Sequence, residues 1–123
     1  MIDLNTYKLF HLIGLMLLFF SFGGILTTTY AGVELPKKAK TLAMATHGLG
    51  LLLLILAGFG MLARLGLAKD IPNWVYSKIL LWLILGGAIA LLKRKADLAW
   101  TMLISLIILG GTAAFIGLNH STF

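Results

Sequence analysis

Four nitrogen-bearing side chains stand within or beside long apolar runs of this sequence, and they are the residues best able to do chemistry there. They are His11, His47, Lys78 and His120. Ionisable groups in an apolar span are expensive to bury and are functional candidates by default. Imidazole and a neutral amine are also ligands for a metal ion or for haem iron. The sequence therefore directs attention to the binding of a cofactor.

Several other kinds of site are disfavoured by what the sequence lacks. It has no cysteine, which excludes disulfides, thiolate metal sites and covalent CxxCH haem attachment. Its four acidic residues, Asp3, Glu34, Asp70 and Asp97, all fall at the ends of the apolar runs or between them. A proton relay or a small transporter therefore has no intramembrane acid. The net charge of +6 is not arranged as a basic face with interleaved aromatics, so no nucleic-acid partner is expected.

The elements that must position the candidate residues are four apolar runs, each long enough to cross about 30 Å of hydrocarbon as a helix. Hydrophobic residues make up 60% of the chain and charged residues 11%, whereas about a quarter of a soluble domain is charged. Short connections favour up-and-down packing. We predict an all-α, polytopic membrane protein, a single domain over residues 1–123 forming an antiparallel bundle of four transmembrane helices. The predicted spans are Tyr7–Tyr30, Lys40–Ala63, Asn73–Leu92 and Ala96–Gly117.

The distribution of lysine and arginine predicts the orientation of these spans. Six of the ten basic residues lie in the loops after the first and third spans: Lys37, Lys38, Lys40, Lys93, Arg94 and Lys95. With four spans, these two loops share one side of the membrane, and basic short loops are typical of the cytoplasmic side. We therefore predict a multi-pass protein of a bacterial-type cytoplasmic (inner) membrane, with both termini on the outer side.

Helical rise sorts the candidate residues by depth, because each residue advances a helix by about 1.5 Å. His11 and Lys78 both enter from the outer side, roughly 6 Å deep, on spans that run parallel, so they share a level. His47 enters from the other side and lies more than about 10 Å from that level. It is a poor partner for His11 on one cofactor, and serves either another site or a structural role. His120 lies in a polar tail and is predicted to be solvated.

A haem fits this arrangement better than a lone metal ion. A four-helix bundle can hold the macrocycle between facing side chains, with Trp74 and Trp82 lining the ring and Arg64 pairing with a propionate. Structural alternatives remain open for each residue. Lys78 can extend to the interface, Trp74 can belong to the interfacial aromatic belt, and His11 can be held by a buried hydrogen bond.

Small and polar residues predict how the helices pack. Two small-xxx-small pairs mark contact faces, namely Gly86 with Ala90 and Gly110 with Ala114. The last span carries a polar stripe at helical spacing, formed by Thr101, Ser105 and Thr112. We expect this stripe to face the bundle interior, although such hydroxyls can bond their own helix. At its depth, Ser105 or Thr101 is the expected hydrogen-bonding partner of His47.

Three segments of the chain carry a resemblance to known membrane proteins. They are YKLFHLIGLMLLFFSFGG (Tyr7–Gly24), THGLGLLLLILAGFGMLA (Thr46–Ala63) and NWVYSKILLWLILGGAIALLKRK (Asn73–Lys95). Together they resemble the SirB-like small membrane proteins and the wider set that includes CopD-type copper-resistance proteins and HemJ-type protoporphyrinogen oxidases. The shared pattern is Lys-x-x-His entering the first span, His near the start of the second, and Trp-x-x-x-Lys entering the third. Its residues here are Lys8 with His11, then His47, then Trp74 with Lys78.

This resemblance implies haem binding. In HemJ-type enzymes the first-span His and the third-span Lys are associated with haem b, which implies that role for His11 and Lys78. The sequence departs from that type in two places. It reads TTTYAG where a Tyr-Leu-x-Arg-like motif follows the first span, and Gly86–Gly87 where a further His occurs. Protoporphyrinogen oxidation is disfavoured, as is copper import, because CopD-type proteins are longer and richer in metal ligands.

The sequence thus predicts an integral membrane protein that binds b-type haem and has an electron-transfer or haem-linked redox role. The predicted metal ligands are His11 and Lys78, and the further cofactor-binding candidates are His47, Trp74 and Arg64. The alternative is a non-enzymatic accessory or scaffold subunit that packs through glycine-rich helix faces. The expected partners are the lipid bilayer, a haem, and either a redox partner or a second copy. Whether the chain is an enzyme is left open.

Overall fold

The structure, a computed structural model, consists of four long helices. It describes residues 2–94 and 96–119, with only the main chain of Lys93 and Ala96. The helices are α1 (Leu4–Tyr30), α2 (Lys37–Arg64), α3 (Asn73–Arg94) and α4 (Ala99–Leu118), and a 3-10 turn at Ala96–Leu98 precedes α4. Each is long and apolar enough to cross a membrane. The predicted all-α class and the four-span antiparallel bundle are confirmed. Two residues singled out above, Lys95 and His120, lie outside the described residues.

The first two helices both begin three residues before the predicted starts. Asp3 caps α1, since its carboxylate accepts the main-chain N–H of Thr6 at 2.8 Å. α2 begins at Lys37, directly after Pro36. Proline suits the start of a helix because its φ is already fixed and its missing N–H would have no partner in the helix.

Glycine at positive φ ends both α1 and α2. Gly32 has φ 71°, and the following N–H, that of Val33, donates to the carbonyl of Thr28 at 3.0 Å. This is the Schellman arrangement, which satisfies carbonyls left over at the helix end. Gly66, with φ 75°, ends α2 in the same way. Both helices therefore end at defined points.

α1 is the central helix of the bundle. It packs along α2 over much of its length and also contacts α3 and α4. The contact with α2 is close because Gly14 and Gly50 face each other. A Cβ added to Gly14 would lie 2.9 Å from the carbonyl oxygen of Gly50, and one added to Gly50 would lie 2.8 Å from that of Gly14. Glycine at both positions is what lets the two main chains approach.

Two hydrogen bonds join α2 to α3 and define their register. His47 of α2 donates from Nε2 to the carbonyl of Gly86 at 3.4 Å, and Trp82 of α3 donates from Nε1 to the carbonyl of Leu51 at 3.0 Å. The bonds run in opposite directions and lie four residues apart on each helix. The two helices are therefore antiparallel, with one turn of helix between the bonds.

The core lies mainly between α1, α3 and α4, and it includes Leu18, Phe22, Leu85, Leu92, Met102 and Leu106. Many large apolar side chains instead face outwards, among them Phe20, Ile108 and Leu118. Such a surface would be an aggregation liability in water. It suits a lipid bilayer, in which the helices satisfy their own main-chain hydrogen bonds.

The prediction that the polar stripe of α4 faces the bundle interior is wrong. Thr101, Ser105 and Thr112 are all exposed. The Thr112 hydroxyl donates to the carbonyl of Ile108, one turn back in the same helix, at 2.7 Å. Because a hydroxyl can be satisfied within its own helix, it does not need an interior partner.

The predicted small-residue pairs contribute one member each to the bundle. A Cβ added to Gly86 would lie 3.4 Å from the Leu51 side chain, and one added to Gly110 would lie 2.9 Å from the ring of Phe19. Ala90 and Ala114 are exposed. Both glycines therefore face side chains of this chain itself.

Candidate functional site

His11 is held by the main chain of the neighbouring helix. Its half-buried ring donates from Nδ1 to the carbonyl of Leu54 at 3.1 Å. Gly58 flanks the ring, and a Cβ added there would lie 3.8 Å from it. A carbonyl only accepts, so the proton of a neutral imidazole is on Nδ1 and the lone pair is on Nε2. The buried hydrogen bond considered from the sequence exists, and it uses one of the two ring nitrogens.

Lys78 places its amine between α3 and α4. The side chain is half-buried, and a Cβ added to Gly117 would lie 3.0 Å from Nζ, so glycine is needed where the amine sits. This place near the C-terminal end of α4 suits a charged ammonium, because that end of a helix carries partial negative charge. Coordination of a metal would instead require the neutral amine.

The structure brings His11 and Lys78 to the same level of the bundle. The register between α2 and α3 shows this. Leu54, the partner of His11, lies three residues beyond Leu51, and Lys78 lies four residues before Trp82. Because the helices are antiparallel, both steps run towards the same end of the bundle, by about 4.5 Å and about 6 Å.

His47 has a different environment. Only 5% of its surface is exposed, and its ring meets that of Phe22 edge-on, with centroids 5.2 Å apart. Its Nε2 donates to the main-chain carbonyl of Gly86. The expected partners, Ser105 and Thr101, are exposed, so that prediction is wrong, and these contacts give His47 a role in packing.

The two buried histidines occupy separate levels. His47 and Leu54 are seven residues apart on α2, which corresponds to about 10 Å along the helix. His47 therefore stands about two helical turns closer to the α1–α2 loop than the group that holds His11, in the sense expected from the sequence.

Trp74 and Arg64 lie nearer the end of the bundle. Trp74 is half-buried at the start of α3, one turn before Lys78. Arg64 is the exposed last residue of α2, and its charge acts favourably on Asp3. Both are thus displaced from the His11 level towards the end of the bundle at which the chain termini lie.

Three neighbours of the candidate residues were missed by the sequence analysis. The ring of Tyr7, one turn before His11, packs on Gly60, Gly117 stands beside the Lys78 amine, and Gly58 flanks the imidazole. The signal in the sequence that could have identified these three residues is a glycine on one helix opposite a large polar side chain on an antiparallel neighbour. Trp82, expected to line a ring, instead uses its indole N–H as a link between helices.

His11 and Lys78 carry nitrogen donors, and a metal-bound histidine is one way in which haem iron is held. Two cavities among residues 2–94 and 96–119 lie away from these side chains. One of about 470 Å³ lies at the α1–α2 loop, and one of about 60 Å³ lies between α1 and α4. Neither is lined by His11 or Lys78.

Comparison with known proteins gives no family match for this chain. No family model, no curated protein and no solved structure matches it. The likeness to the SirB-like, CopD-type and HemJ-type proteins accordingly stays a prediction from short motifs.

Proposed function

We propose that this chain binds a b-type haem between α1 and α3, near the end of the bundle at which both termini lie. His11 Nε2 and Lys78 Nζ would hold the haem iron. Histidine is an established ligand of haem iron, and a bound haem supplies one-electron chemistry. The proposed role is electron transfer or haem-linked redox chemistry. The observation that carries the proposal is that an imidazole and an amine lie at about one level of an otherwise apolar bundle.

Each proposed ligand has a neighbour that suits it to the task. The bond from His11 Nδ1 to the carbonyl of Leu54 orients the ring, and a second hydrogen bond of this kind is the usual companion of metal-bound histidine. Gly58 lies beside the imidazole, and Gly117 leaves room for the Lys78 amine. The amine must lose its proton to coordinate, which the surrounding apolar side chains favour and the partial negative charge at the C-terminal end of α4 opposes.

The remaining candidates belong to the edge of the proposed site. Arg64 would pair with a haem propionate, as an exposed cation beyond the His11 level, and Trp74 would flank the ring. We place the protein in a bacterial-type cytoplasmic membrane with its termini outside, because the loops after α1 and α3 carry most of the basic residues.

An optical spectrum of the full chain, purified from haem-replete cells, tests this function. We expect a Soret band in the wild type that is lost or displaced in His11→Asn and in Lys78→Met. Asparagine places its amide nitrogen where Nδ1 lies, so it can keep the bond to Leu54 while removing Nε2. The matched control is His47→Gln, which can keep the bond to Gly86 and should retain the band. A colourless wild-type protein would contradict the proposal.

The accessory-subunit alternative is favoured by one separate observation. A Cβ added to Gly87 or to Gly111 meets no atom within 4 Å, so both glycines present small, open surface outside the bundle. Small residues are what packing between transmembrane helices uses. Gly87→Trp and Gly111→Trp should then reduce the native size of the assembly without affecting colour. An unchanged size in both variants would remove this alternative.

A further inference from the structure

A cavity lies far from His11, at the loop that joins α1 to α2. Its volume is about 470 Å³, and it is open on one side. Its polar lining residues are Thr28, Thr29, Glu34 and Lys40. Its apolar lining residues include Ile25, Val33, Leu35, Ala43 and Met44. The lining therefore combines polar and charged side chains with apolar ones, as a site for an amphiphile requires.

Helix length places this cavity at the depth of lipid headgroups. α1 has 27 residues and α2 has 28, so each is about 40 Å long, whereas the hydrocarbon core is about 30 Å thick. The last turn of α1 and the first turn of α2 thus extend beyond the hydrocarbon. The Schellman bonds at Gly32 and Val33 fix the loop that forms the floor of the cavity.

The charges of the lining are of both signs. Glu34 and Lys40 both line the cavity and both are exposed. The Thr28 hydroxyl already donates its hydrogen to the carbonyl of Gly24 at 2.8 Å, so only its lone pairs are available to a ligand. Glu34 and Thr28 therefore accept hydrogen bonds, whereas Lys40 donates them. A ligand that matches the lining has one anionic group and one cationic donor group.

We propose that this cavity binds a glycerophospholipid whose headgroup carries a phosphate and a primary ammonium, as in phosphatidylethanolamine. Lys40 binds the phosphate by a charge-assisted hydrogen bond. Glu34 and the Thr28 hydroxyl accept from the ammonium, and an acyl chain lies along Ile25 and Met44. This site lies at the opposite end of α1 from His11, so it does not depend on the proposed haem.

Native mass spectrometry of the full chain released from detergent micelles tests the proposal. The probes are phosphatidylethanolamine, phosphatidylglycerol and phosphatidylcholine with identical acyl chains, each added at the same concentration. We expect one phosphatidylethanolamine to be retained in preference to the other two lipids. Phosphatidylcholine has no N–H to donate, and phosphatidylglycerol has no cation for Glu34.

Three variants distinguish this site from general attraction to the membrane surface. Lys40→Met and Glu34→Gln should each reduce retention about tenfold, the effect of losing one charged hydrogen-bond partner. Lys38→Met is the matched control, because Lys38 is exposed on the same helix start and is not among the lining residues. All three positions are exposed, so folding should be unaffected, and the helical circular dichroism signal checks this.

The outcomes are decisive in both directions. Retention of phosphatidylglycerol above phosphatidylethanolamine would overturn the proposal, since the site would then recognise negative charge alone. Unchanged retention in Glu34→Gln would also overturn it, as would an equal loss in Lys38→Met and Lys40→Met. Selective retention of phosphatidylethanolamine that is lost in the two lining variants alone would establish the site.

Discussion

Trp82 on α3 donates its indole N–H to the main-chain carbonyl of Leu51 on α2 at 3.0 Å. One turn away, His47 on α2 donates to the carbonyl of Gly86 on α3. Each helix thus supplies one side-chain donor and one main-chain acceptor. These two bonds, together with the connecting loop, define the position of α3 along α2. Because Lys78 is on α3, they also define the level at which Lys78 lies.

Replacing Trp82 with Phe should destabilise the bundle modestly. The substitution removes the N–H and leaves the Leu51 carbonyl with its intrahelical bond only, which corresponds to about 0.5–1.5 kcal/mol for one interhelical bond. Unfolding in mixed micelles by titration with a denaturing detergent measures this loss. The control is Trp100→Phe, because 65% of that side chain is exposed. Equal stability of the two variants would contradict the bridging role of Trp82.

Variants of His47 test whether this residue stabilises the packing of the bundle. His47→Gln keeps a donor for the carbonyl of Gly86 but loses the edge-on contact with the ring of Phe22. His47→Leu loses both. We expect stability to fall in the order wild type, Gln, Leu, with the second step about 0.5–1.5 kcal/mol because the carbonyl of Gly86 loses its interhelical donor. Detergent-induced unfolding followed by tryptophan fluorescence gives the order, and a Leu variant as stable as wild type would show that the bond is unimportant.

The close approach of α1 and α2 at Gly14 can be tested by substitution. Gly14→Ala should destabilise the bundle by about 1–3 kcal/mol, because the new Cβ meets the main chain of Gly50, which cannot rotate away as a side chain can. Gly48→Ala is the matched control, since a Cβ there meets no atom within 4 Å. Alanine favours the helix by up to about 1 kcal/mol over glycine, so this control should be at least as stable as wild type.

If both alanine variants behaved alike in the same unfolding titration, close packing of α1 on α2 would be contradicted. A double variant, Gly14→Ala with Gly50→Ala, sharpens the comparison. The two glycines face each other, so their effects should not add as those of independent sites do.

From the sequence, the level of a residue along the bundle was easier to predict than the face of the helix on which it lies. Helical rise is constant, so counting residues from the loops was enough to bring His11 and Lys78 to one level. The faces of the helices were harder to assign, because lipid-facing and buried positions are both apolar. The stripe containing Thr112 was assigned to the interior, although its hydroxyl is satisfied by Ile108 on its own helix.

Hydrogen bonds to main-chain carbonyls likewise could not be predicted from the pattern of side chains. Side-chain reasoning paired His47 with Ser105, whereas its partner is the carbonyl of Gly86. His11 and Trp82 also bond main-chain carbonyls. In each case the acceptor belongs to a residue with an apolar or absent side chain, so only the relative placement of two helices could reveal it.

The cap of α1 should make the start of this helix sensitive to pH. Hydrogen bonds from Thr6, first from its side chain and then from its main-chain N–H, hold the pKa of Asp3 below its ordinary value of 3.8. A carboxylate with a lowered pKa in the folded state stabilises that state above the ordinary pKa, and the contribution is lost as pH falls through the lowered value. The first turn of α1 should therefore be intact at neutral pH and loosen only below pH 3.8.

The NMR shift of the Thr6 amide in micelles, followed from pH 7 to pH 2, measures this transition. Its midpoint should lie below 3.8, and it should disappear in Asp3→Asn, which can cap the helix but does not titrate. Asp3→Ala should instead show the loosened shift at every pH. A midpoint at or above 3.8 in the wild type would mean that the cap does not favour the ionised carboxylate, and the early start of α1 would need another cause.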